Sequence, residues 1–286
     1  MNGPDGGGLR KPNEIERVFG HRSVLIGMLH LRPLPGAPRY RPEEGVEAAF
    51  EQALREARLL VSAGFDGLIV ENGWDIPFVP PDRVGHETTA AMAVILSRLR
   101  NEIRVPVGVN CLANAVEASI AVATAAGGSF VRSNQWVNAY IANEGFLNGR
   151  AGEVSRYRHA IGADEVRVWA DVLVKLGSHA ITADRPLAEQ VRDLEWFDAD
   201  AIIVTGRRLA DPPVAADVVE VRATTDLAVV VGSGVTADNV GALLSVADAA
   251  IVGSALKEGG VWWGDVSAAA VDAIARARDS ALSVHS

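Results

Sequence analysis

Apolar runs of strand length alternate along this chain with stretches of helical periodicity. Eight apolar runs, each ending on polar or small residues, occupy positions 24–31, 67–72, 105–111, 129–134, 166–174, 201–205, 227–232 and 249–253. The helical stretches that follow them are 46–62, 88–100, 115–126, 153–161, 187–196, 215–223, 237–246 and 266–280. Eight consecutive strand–helix units with no interrupting domain predict an α/β fold, a single (β/α)₈ TIM barrel.

The apolar runs also differ between odd and even positions in this series. The even runs GFDGLIVEN, GGSFVRSN, FDADAIIVTG and VADAAIVGS share a small or acidic residue, an apolar core and a polar end. In a barrel, each interior layer is formed by side chains from alternate strands, so a difference between odd and even runs is expected. The same difference is also expected if a quarter barrel was duplicated. A doubly wound sheet is the structural alternative, but the first run ends in MLHLRPLPG instead of a Gly-rich fingerprint.

Outside the repeated units, the sequence predicts a short N-terminal helix and two long loops. Residues 1–12 are rich in Gly and Pro and are expected to be disordered, which leaves 13–286 as the barrel domain. Asn13 and Glu16 resemble a capping box at the start of a helix over 13–19. Residues 73–87 and 135–152, after strands two and four, exceed the usual length of such connections and are expected to be lids or oligomer contacts.

Composition narrows the class of protein. The chain has 286 residues, is 49% hydrophobic and only 6% aromatic, as expected for buried aliphatic strands. A net charge of −9 disfavours nonspecific binding to nucleic acid or to membrane surfaces. One cysteine, Cys111, excludes an intramolecular disulfide, and no signal peptide or membrane span is recognised. We therefore expect a soluble, cytoplasmic protein, and the long loops suggest a homo-oligomer.

Polar residues follow the apolar runs at the same end of each predicted strand. Catalytic groups of barrels lie where strands lead into the loops before helices. The residues at these ends are His30, Glu71, Asn72, Asn110, Arg132, Asn134, Asp171, Lys175, Thr205, Ser233 and Ser254. Because chance would scatter them, they form the candidate site.

Asp171 is the leading candidate for a catalytic carboxylate. If its strand stays regular, Asp171 and Lys175 point the same way, so a plain salt bridge between them is the alternative. Glu71 is a second catalytic candidate, and its alternative is a structural pair with Arg132. His30 and Lys175 are candidates for proton transfer, although His30 could equally bond a loop carbonyl.

Five further strand-end residues are candidates for substrate binding. Amide groups offer a donor and an acceptor to sugar hydroxyls or a base edge, although asparagines also cap helices. These candidates are Asn72, Asn110, Arg132, Asn134 and Thr205.

The sequence alone leaves alternatives for the aromatic residues of the long loops and for a bound metal ion. Trp74, Trp136 and Tyr140 are expected either to stack on a planar base or to pack a subunit interface. No His-rich metal spacing occurs, so no protein-held metal and no cofactor is predicted. A Mg²⁺ ion carried by a pyrophosphate could still lie near Glu71 or Asp171.

Two glycine–serine turns suggest a phosphate site. Gly232-Ser233-Gly234 follows strand seven, and Gly253-Ser254 follows strand eight ahead of a short helix with Lys257. Many barrels bind phosphate between these loops through backbone N–H groups that glycine leaves accessible. The alternative is a pair of tight turns that only lead into helices.

The chain resembles the BtpA family, named for a cyanobacterial factor needed to accumulate photosystem I. The resemblance rests on VLIGMLHLRPLPGAPRY, IVENGWDIPF, PVGVNCLANA, FVRSNQWVNAYIANEGFLNG, ADVLVK, IVTG, VVGSGVTADNV and IVGSALKEGG, which span residues 24–257. It implies a phosphate-binding TIM-type barrel, and either an assembly factor or an enzyme labelled a nucleosidase. The family's polar strand ends fall on the strand-end candidates above, with the exception of Thr205.

Three functional hypotheses follow. The leading one is an enzyme that makes or breaks a glycosidic bond between a nucleobase and a sugar phosphate, with a carboxylate facing an oxocarbenium-like transition state. The second is a sugar-phosphate isomerase or aldolase that uses Lys175 as a Schiff base. The third is a non-catalytic assembly factor. Arg207 and Arg208 are candidates for a second anion contact in any of these.

Overall fold

Eight parallel strands close into a barrel in this computed structural model, which describes residues 11–206 and 211–283. The ten strands in the described residues are β1 (Val24–His30), β2 (Gly67–Glu71), β3 (Val107–Asn110), β4 (Phe130–Ser133), β5 (Ala139–Ala142), β6 (Gly145–Asn148), β7 (Arg167–Val172), β8 (Ala201–Val204), β9 (Ala228–Val231) and β10 (Ala249–Val252). The barrel order is β1-β10-β9-β8-β7-β4-β3-β2, with β5 and β6 forming a separate hairpin. The predicted (β/α)₈ barrel is confirmed.

The helices pack around this barrel. Those within the described residues are α1 (Glu14–Phe19), α2 (Gly45–Ser62), α3 (His86–Glu102), α4 (Val116–Ala126), α5 (Ala151–Ala160), α6 (Leu187–Trp196), α7 (Ala215–Thr224), α8 (Val240–Leu244) and α9 (Ala268–Ser283). The helix predicted at 237–246 is shortened to α8. Its first residues form a turn instead, because the Asn239 side chain accepts from Thr236 N and donates to Gly234 O.

The N-terminal helix closes one end of the barrel. Asn13 caps α1 through hydrogen bonds from the backbone of Ile15 and Glu16, as the sequence predicts. Phe19, on α1, packs against Phe130 and Trp169, whose stacked rings have centroids 3.7 Å apart. Most of the segment predicted to be disordered, residues 1–10, lies outside the described residues.

Glycines on two strands make room for this aromatic plug. A Cβ at Gly67 would lie 2.6 Å from the Phe19 ring, and one at Gly108 would lie 2.2 Å from the Phe130 ring. Separations this short are repulsive, so large and small residues must alternate around the barrel interior for it to close.

The repeated motif of the even strands has a structural explanation. An aspartate before β2, β8 and β10 accepts a hydrogen bond from the backbone N–H of the preceding barrel strand: Asp66 from Leu25, Asp200 from Val168 and Asp248 from Val229. Each of these aspartates also binds an arginine, respectively Arg278, Arg158 and Arg222. The motif therefore fixes the register of paired strands at the end opposite the predicted site.

Two loop predictions are revised. Residues 135–152 are not wholly irregular, because β5 and β6 pair as an antiparallel hairpin there. The strand predicted over 166–174 ends at Val172, because Leu173 has a positive φ of 51° and turns the chain. Lys175 therefore lies in a loop, and the expectation that it continues the alternation of Asp171 is wrong.

Candidate active site at the barrel mouth

The inward-facing positions of the eight strands converge on one end of the barrel. Met28, Ile69, Phe130 and Trp169 belong to the interior core cluster. Since strand side chains alternate with a period of two, the next inward positions are those at or just after each strand end. These positions are His30, Glu71, Asn110, Arg132, Asp171, Thr205, Gly232 and Gly253.

A cavity of 670 Å³ lies above this ring. Pockets of such volume typically hold a small-molecule ligand. It brings together most of the sequence-predicted site residues: His30, Glu71, Asn110, Arg132, Asn134, Lys175, Gly232, Ser233, Gly234, Gly253 and Ser254. Three predicted residues, Asn72, Asp171 and Thr205, are not part of its lining.

Asp171 lies beneath the cavity as a partner of Arg132. The Arg132 guanidinium donates from Nε to Oδ1 at 3.0 Å and from Nη2 to Oδ2 at 2.9 Å. Asn134 Nδ2 also donates to Asp171 Oδ2, at 3.2 Å. Neither expected salt bridge forms, since Arg132 pairs with Asp171 and not with Glu71, and Asp171 does not pair with Lys175.

Glu71 and His30 form a close pair at the floor of the cavity. Their Oε1 and Nε2 atoms are 3.6 Å apart, and Asn110 Nδ2 donates to Glu71 Oε2 at 2.6 Å. Burial raises the pKa of Glu71, against the opposing effect of Arg132. Burial, with Lys257 next in effect, lowers the pKa of His30 to about 3. Both groups are thus biased toward their uncharged forms.

Lys175 reaches the same cavity from the loop after β7. It is half-buried, and its Nζ makes no ion pair or hydrogen bond with any residue in 11–206 or 211–283. Burial and then the Arg132 cation lower its pKa to about 8, although Asp171 and Glu71 act in the opposite direction. A lysine with this pKa is partly unprotonated near neutral pH and can act as a base or nucleophile.

Asn72 holds the protein's own backbone instead of facing the cavity. Its Oδ1 accepts from Leu112 N at 2.7 Å, and its Nδ2 donates to Asp75 Oδ2 and Leu112 O. Asp75 in turn accepts from Leu34 N at 2.8 Å. Because these contacts use the donors and acceptors of the amide, Asn72 positions the loops after β1, β2 and β3.

Four buried polar atoms of the strand-end residues lack hydrogen-bond partners within the described residues. They are His30 Nδ1 and the side-chain oxygens of Asn110, Asn134 and Thr205. The amide nitrogens of Asn110 and Asn134 are used on Glu71 and Asp171, so each amide orientation is fixed. Asn110 and Asn134 therefore serve the two carboxylates, while Thr205 lies below the cavity lining.

The two glycine–serine turns line one side of the cavity. In the described chain, the backbone N–H groups of Ser233, Gly234, Val235, Ser254 and Ala255 donate to no protein acceptor. Free N–H groups beside a cavity can bind an anion. A Cβ at Gly232 would lie 2.4 Å from Ile203, so a side chain there would be excluded.

The Ser233 hydroxyl is already engaged. It accepts from Gly206 N at 2.7 Å and donates to Asp211 O at 2.9 Å, which ties the loop after β8 to the loop after β9. The candidate anion contacts Arg207 and Arg208 lie outside the described residues. Lys257, which the sequence placed in the short helix after Gly253-Ser254, does not line the cavity and is fully buried against Glu56.

The aromatic walls differ from those expected. Trp136 is buried, with its indole N–H donating to Phe197 O, and it does not line this cavity. Trp74 does not line the cavity, whereas Tyr140 does. Sequence reasoning missed Trp262, which lines the cavity and lies edge-on to the His30 ring at 5.8 Å. The signal was GGVWWG, an aromatic pair flanked by glycines in an aromatic-poor chain.

Among residues 11–206 and 211–283, no three His, Cys, Asp or Glu side chains are grouped to hold a metal ion. Over the same residues, no helix has the length and hydropathy needed to cross a bilayer.

Comparison with known proteins identifies relatives over nearly the whole chain. The model of the BtpA family matches residues 21–280. Photosystem I biogenesis protein BtpA of Synechocystis sp. is 37% identical over 250 residues, which cover 86% of this chain and 85% of that protein. An uncharacterized protein of Archaeoglobus fulgidus is 35% identical over 238 residues, 83% of this chain and 93% of its own length.

Solved structures share the fold at low sequence identity. The thiamine phosphate pyrophosphorylase of Pyrococcus furiosus matches with a TM-score of 0.55 and 14% identity, over 94% of this chain and all of that one. (S)-3-O-geranylgeranylglyceryl phosphate synthase of Thermoplasma acidophilum, in complex with its substrate sn-glycerol-1-phosphate, matches with a TM-score of 0.57 and 12% identity, over 93% and 97% of the two chains. Both are barrels that act on phosphorylated compounds.

Proposed function

This chain belongs to the BtpA family, and from the geometry of its barrel mouth we propose that it is an enzyme that makes or breaks the glycosidic bond between a nucleobase and a sugar phosphate. The observation that carries this proposal is the buried Glu71–His30 pair, 3.6 Å apart, in a cavity also lined by two turns with free N–H groups. An acid–base pair beside an anion site suits a phosphorylated substrate whose leaving group needs a proton.

The phosphate would bind the turns after β9 and β10. The N–H groups from Ser233 to Val235 and from Ser254 to Ala255 would donate to its oxygens. Gly232 and Gly253 add no side chain to that side of the cavity. The thiamine phosphate pyrophosphorylase and the glycerol-1-phosphate complex support a phosphorylated substrate by analogy of fold.

Glu71 is the group that we assign to the reacting bond. In its protonated form it would give a proton to the departing base as the glycosidic bond breaks, and the resulting carboxylate would then face the oxocarbenium-like sugar. In hydrolysis, water adds to the anomeric carbon and its proton returns to Glu71. His30, unprotonated at neutral pH, would accept or relay a proton on the same side.

Asp171 takes a different role in this scheme from the one expected. Its carboxylate is fully buried and bound by Arg132 and Asn134, so it positions these two residues at the cavity wall. A Mg²⁺ ion would enter only with a pyrophosphorylated substrate, and Glu71 and Glu144 are the carboxylates of the described residues that line the cavity.

Turnover of the wild-type protein and a Glu71→Gln variant tests the proposal. We expect base consumption when ribose-phosphate donors, with and without Mg²⁺, are incubated with nucleobases, or base release from nucleotides. The variant should lose about two to four orders of magnitude in rate. No turnover across this panel, combined with no heat of binding for any phosphosugar in calorimetry, would contradict the proposal.

A second candidate function rests on Lys175. This lysine faces the cavity without an ion-pair partner in the described chain and has a pKa lowered to about 8, as Schiff-base lysines require. A sugar-phosphate aldolase or isomerase would use it on a carbonyl substrate. Borohydride reduction with candidate keto-sugar phosphates decides between the two, because only this function yields a stable adduct on Lys175. The Lys175→Met variant is the control.

A scaffold function remains the third candidate because the Synechocystis relative is named a photosystem I biogenesis protein. Assembly by itself does not need an acid at position 71, so a Glu71→Gln protein that retains full biological function would favour it.

A homo-oligomer is also proposed, since Ile141 and Phe146 of the β5–β6 hairpin are 48% and 56% exposed near the mouth. Light scattering of wild type against Phe146→Ser tests that contact.

A further inference from the structure

Lys257 is a fully buried lysine that the proposed chemistry does not use. Its Nζ lies 3.0 Å and 3.1 Å from the two carboxylate oxygens of Glu56 on α2. Removing both charges from water costs several kcal/mol per ion, on the order of what their attraction returns, so such a pair adds little net stability. The role of the Lys257–Glu56 pair therefore lies in the segments that it positions.

The ion pair is connected to the end of β1. Gln52, one turn before Glu56 on α2, donates from Nε2 to Glu56 Oε1 at 2.9 Å and to the His30 carbonyl at 3.3 Å. Gln52 and Glu56 are both buried. Through Gln52, the pair is thus bonded to the backbone of a residue that lines the cavity.

Lys257 also lies at the junction of two mouth elements. Its backbone N–H donates to Ser254 O at 3.0 Å, which closes the turn Ser254–Leu256. On its other side begins a segment, residues 258–265, that we call the strap. The strap is closed at its base by the bridge between Lys257 and Val266 and by the hydrogen bond from Glu258 N to Asp265 O.

The strap carries Trp262 to the cavity. Gly259 and Gly260 in its first half have positive φ values of 62° and 71°, which only glycine adopts without strain. The indole of Trp262 lies edge-on to His30, with ring centroids 5.8 Å apart, whereas its neighbour Trp263 is 60% exposed. A shift of Lys257 would therefore move both the turn and the aromatic wall beside His30.

We propose that Lys257 is a positioning residue whose ion pair with Glu56 fixes the turn Ser254–Leu256 and the strap against the end of β1. The turn part of this inference rests on the proposed phosphate site, and the strap part does not. A buried ammonium has to meet its carboxylate with defined geometry, whereas an apolar contact tolerates sliding. The pair therefore specifies where the N–H groups of Ser254 and Ala255 and the ring of Trp262 lie.

The test replaces the pair by apolar residues of similar volume, in the double variant Lys257→Met with Glu56→Met. We expect this protein to fold with a thermal midpoint at or above that of the wild type. Its affinity for inorganic phosphate, measured by calorimetry, should fall about tenfold or more, as expected when one hydrogen bond to a charged ligand is misaligned. Four tryptophans besides Trp262 and Trp263 also emit, so in a Trp263→Phe background Trp262 emission is taken as the difference between spectra with and without a further Trp262→Phe change. Its maximum should move to longer wavelength as the ring becomes more exposed.

A matched control separates positioning from general destabilisation. Arg278→Met removes another largely buried ion pair, with Asp66 at the far end of the barrel. It should lower stability and leave phosphate affinity and Trp262 emission unchanged. If the double variant does not fold, the isosteric Glu56→Gln change is measured by the same two readouts.

The readouts distinguish failure of the inference from failure of the proposed function. Wild-type phosphate affinity together with unchanged Trp262 emission in the variant would overturn the inference. A wild-type protein that binds no phosphate contradicts the proposed phosphate site, and Trp262 emission then decides the strap part alone.

Discussion

Arg132 and Asp171 form a bidentate ion pair at the base of the cavity, with Nε–Oδ1 and Nη2–Oδ2 distances of 3.0 Å and 2.9 Å. The two side chains are 3% and 0% exposed. Planar fork-to-fork contacts of this kind fix orientation as well as charge. The pair therefore holds the guanidinium at the cavity wall and removes the Asp171 carboxylate from direct contact with a ligand.

The first prediction concerns the Asp171→Asn variant. Breaking a buried pair leaves the Arg132 cation uncompensated, so we expect a loss of about 3–5 kcal/mol in the free energy of unfolding. Urea denaturation measures this loss. An Asp171→Asn protein with wild-type stability and a large loss of rate would instead make Asp171 the catalytic carboxylate that the sequence suggested.

The second prediction concerns stability and pH at Glu71. The pKa of Glu71 is higher in the folded protein than in the unfolded chain, so folding takes up a proton at pH values between the two pKa values. The contribution of Glu71 to stability is complete below the unfolded pKa and is lost as the pH rises through the folded pKa. Glu71→Gln removes this titration. As the pH rises from acidic to neutral, the free energy of unfolding of the variant should increase relative to that of the wild type, while its activity is lost. Denaturation curves at several pH values measure this difference. A variant that loses stability more at pH 7 than at pH 4 would show that Glu71 is charged when folded.

The third prediction concerns His30. Since its pKa is lowered to about 3, the folded protein binds fewer protons than the unfolded chain between pH 3 and the ordinary value of 6.5. This contribution to stability is complete above 6.5 and is lost as pH falls through that window. Nitrogen NMR of labelled histidine should show the His30 ring uncharged at pH 5. A protonated His30 signal at pH 5 contradicts the assignment.

The fourth prediction concerns the reactivity of Lys175. The chain has three lysines, Lys11, Lys175 and the buried Lys257. With a pKa of about 8, Lys175 should react with an amine reagent such as cyanate at neutral pH, with a rate midpoint near pH 8. Lys257, fully buried in its ion pair, should stay unmodified in the native protein. Peptide mass spectrometry follows each site, and preferential modification of Lys257 would argue against the described fold of the mouth.

The fifth prediction concerns the barrel interior. A Cβ at Gly108 would lie 2.2 Å from the Phe130 ring, so Gly108→Ala should cost about 1–3 kcal/mol through overpacking. Gly152→Ala is the matched control, because its Cβ would meet only the mobile end of Arg156 at 3.3 Å in the first turn of α5. Thermal unfolding compares the two. Equal midpoints would show that the aromatic plug adapts freely.

The polar ring itself was within reach of sequence reasoning. His30, Glu71 and Asn110 are register neighbours on β1, β2 and β3, and they follow the last apolar inward residues by two positions. The period of two in a strand and the common direction of parallel strands place such residues at one mouth. That is why most of the predicted residues line one cavity.

Which residues of the ring pair with one another could not be predicted from the sequence. The sequence suggested Glu71 as a partner of Arg132 and Lys175 as a partner of Asp171, whereas the observed pair of Arg132 with Asp171 depends on the stagger between β4 and β7. Asn72, one position beyond the inward Glu71, was grouped with it by sequence proximity, although alternation directs it to the surrounding loops. Contacts such as Lys257 with Glu56, 201 positions apart, have no local signal at all.

The sequence by itself determined the barrel, its eight strands and the identity of most residues at its mouth, because local periodicity encodes which side of each element is buried. Tertiary structure alone decided which charges pair, that Lys175 leaves the strand alternation at Leu173, and that Trp262 reaches His30. Those outcomes depend on strand stagger and loop paths, which are set by packing among distant segments. The two Gly-Ser turns depend on both levels. Their positions after the strands can be read from the local sequence, but only the closed barrel places them on one cavity.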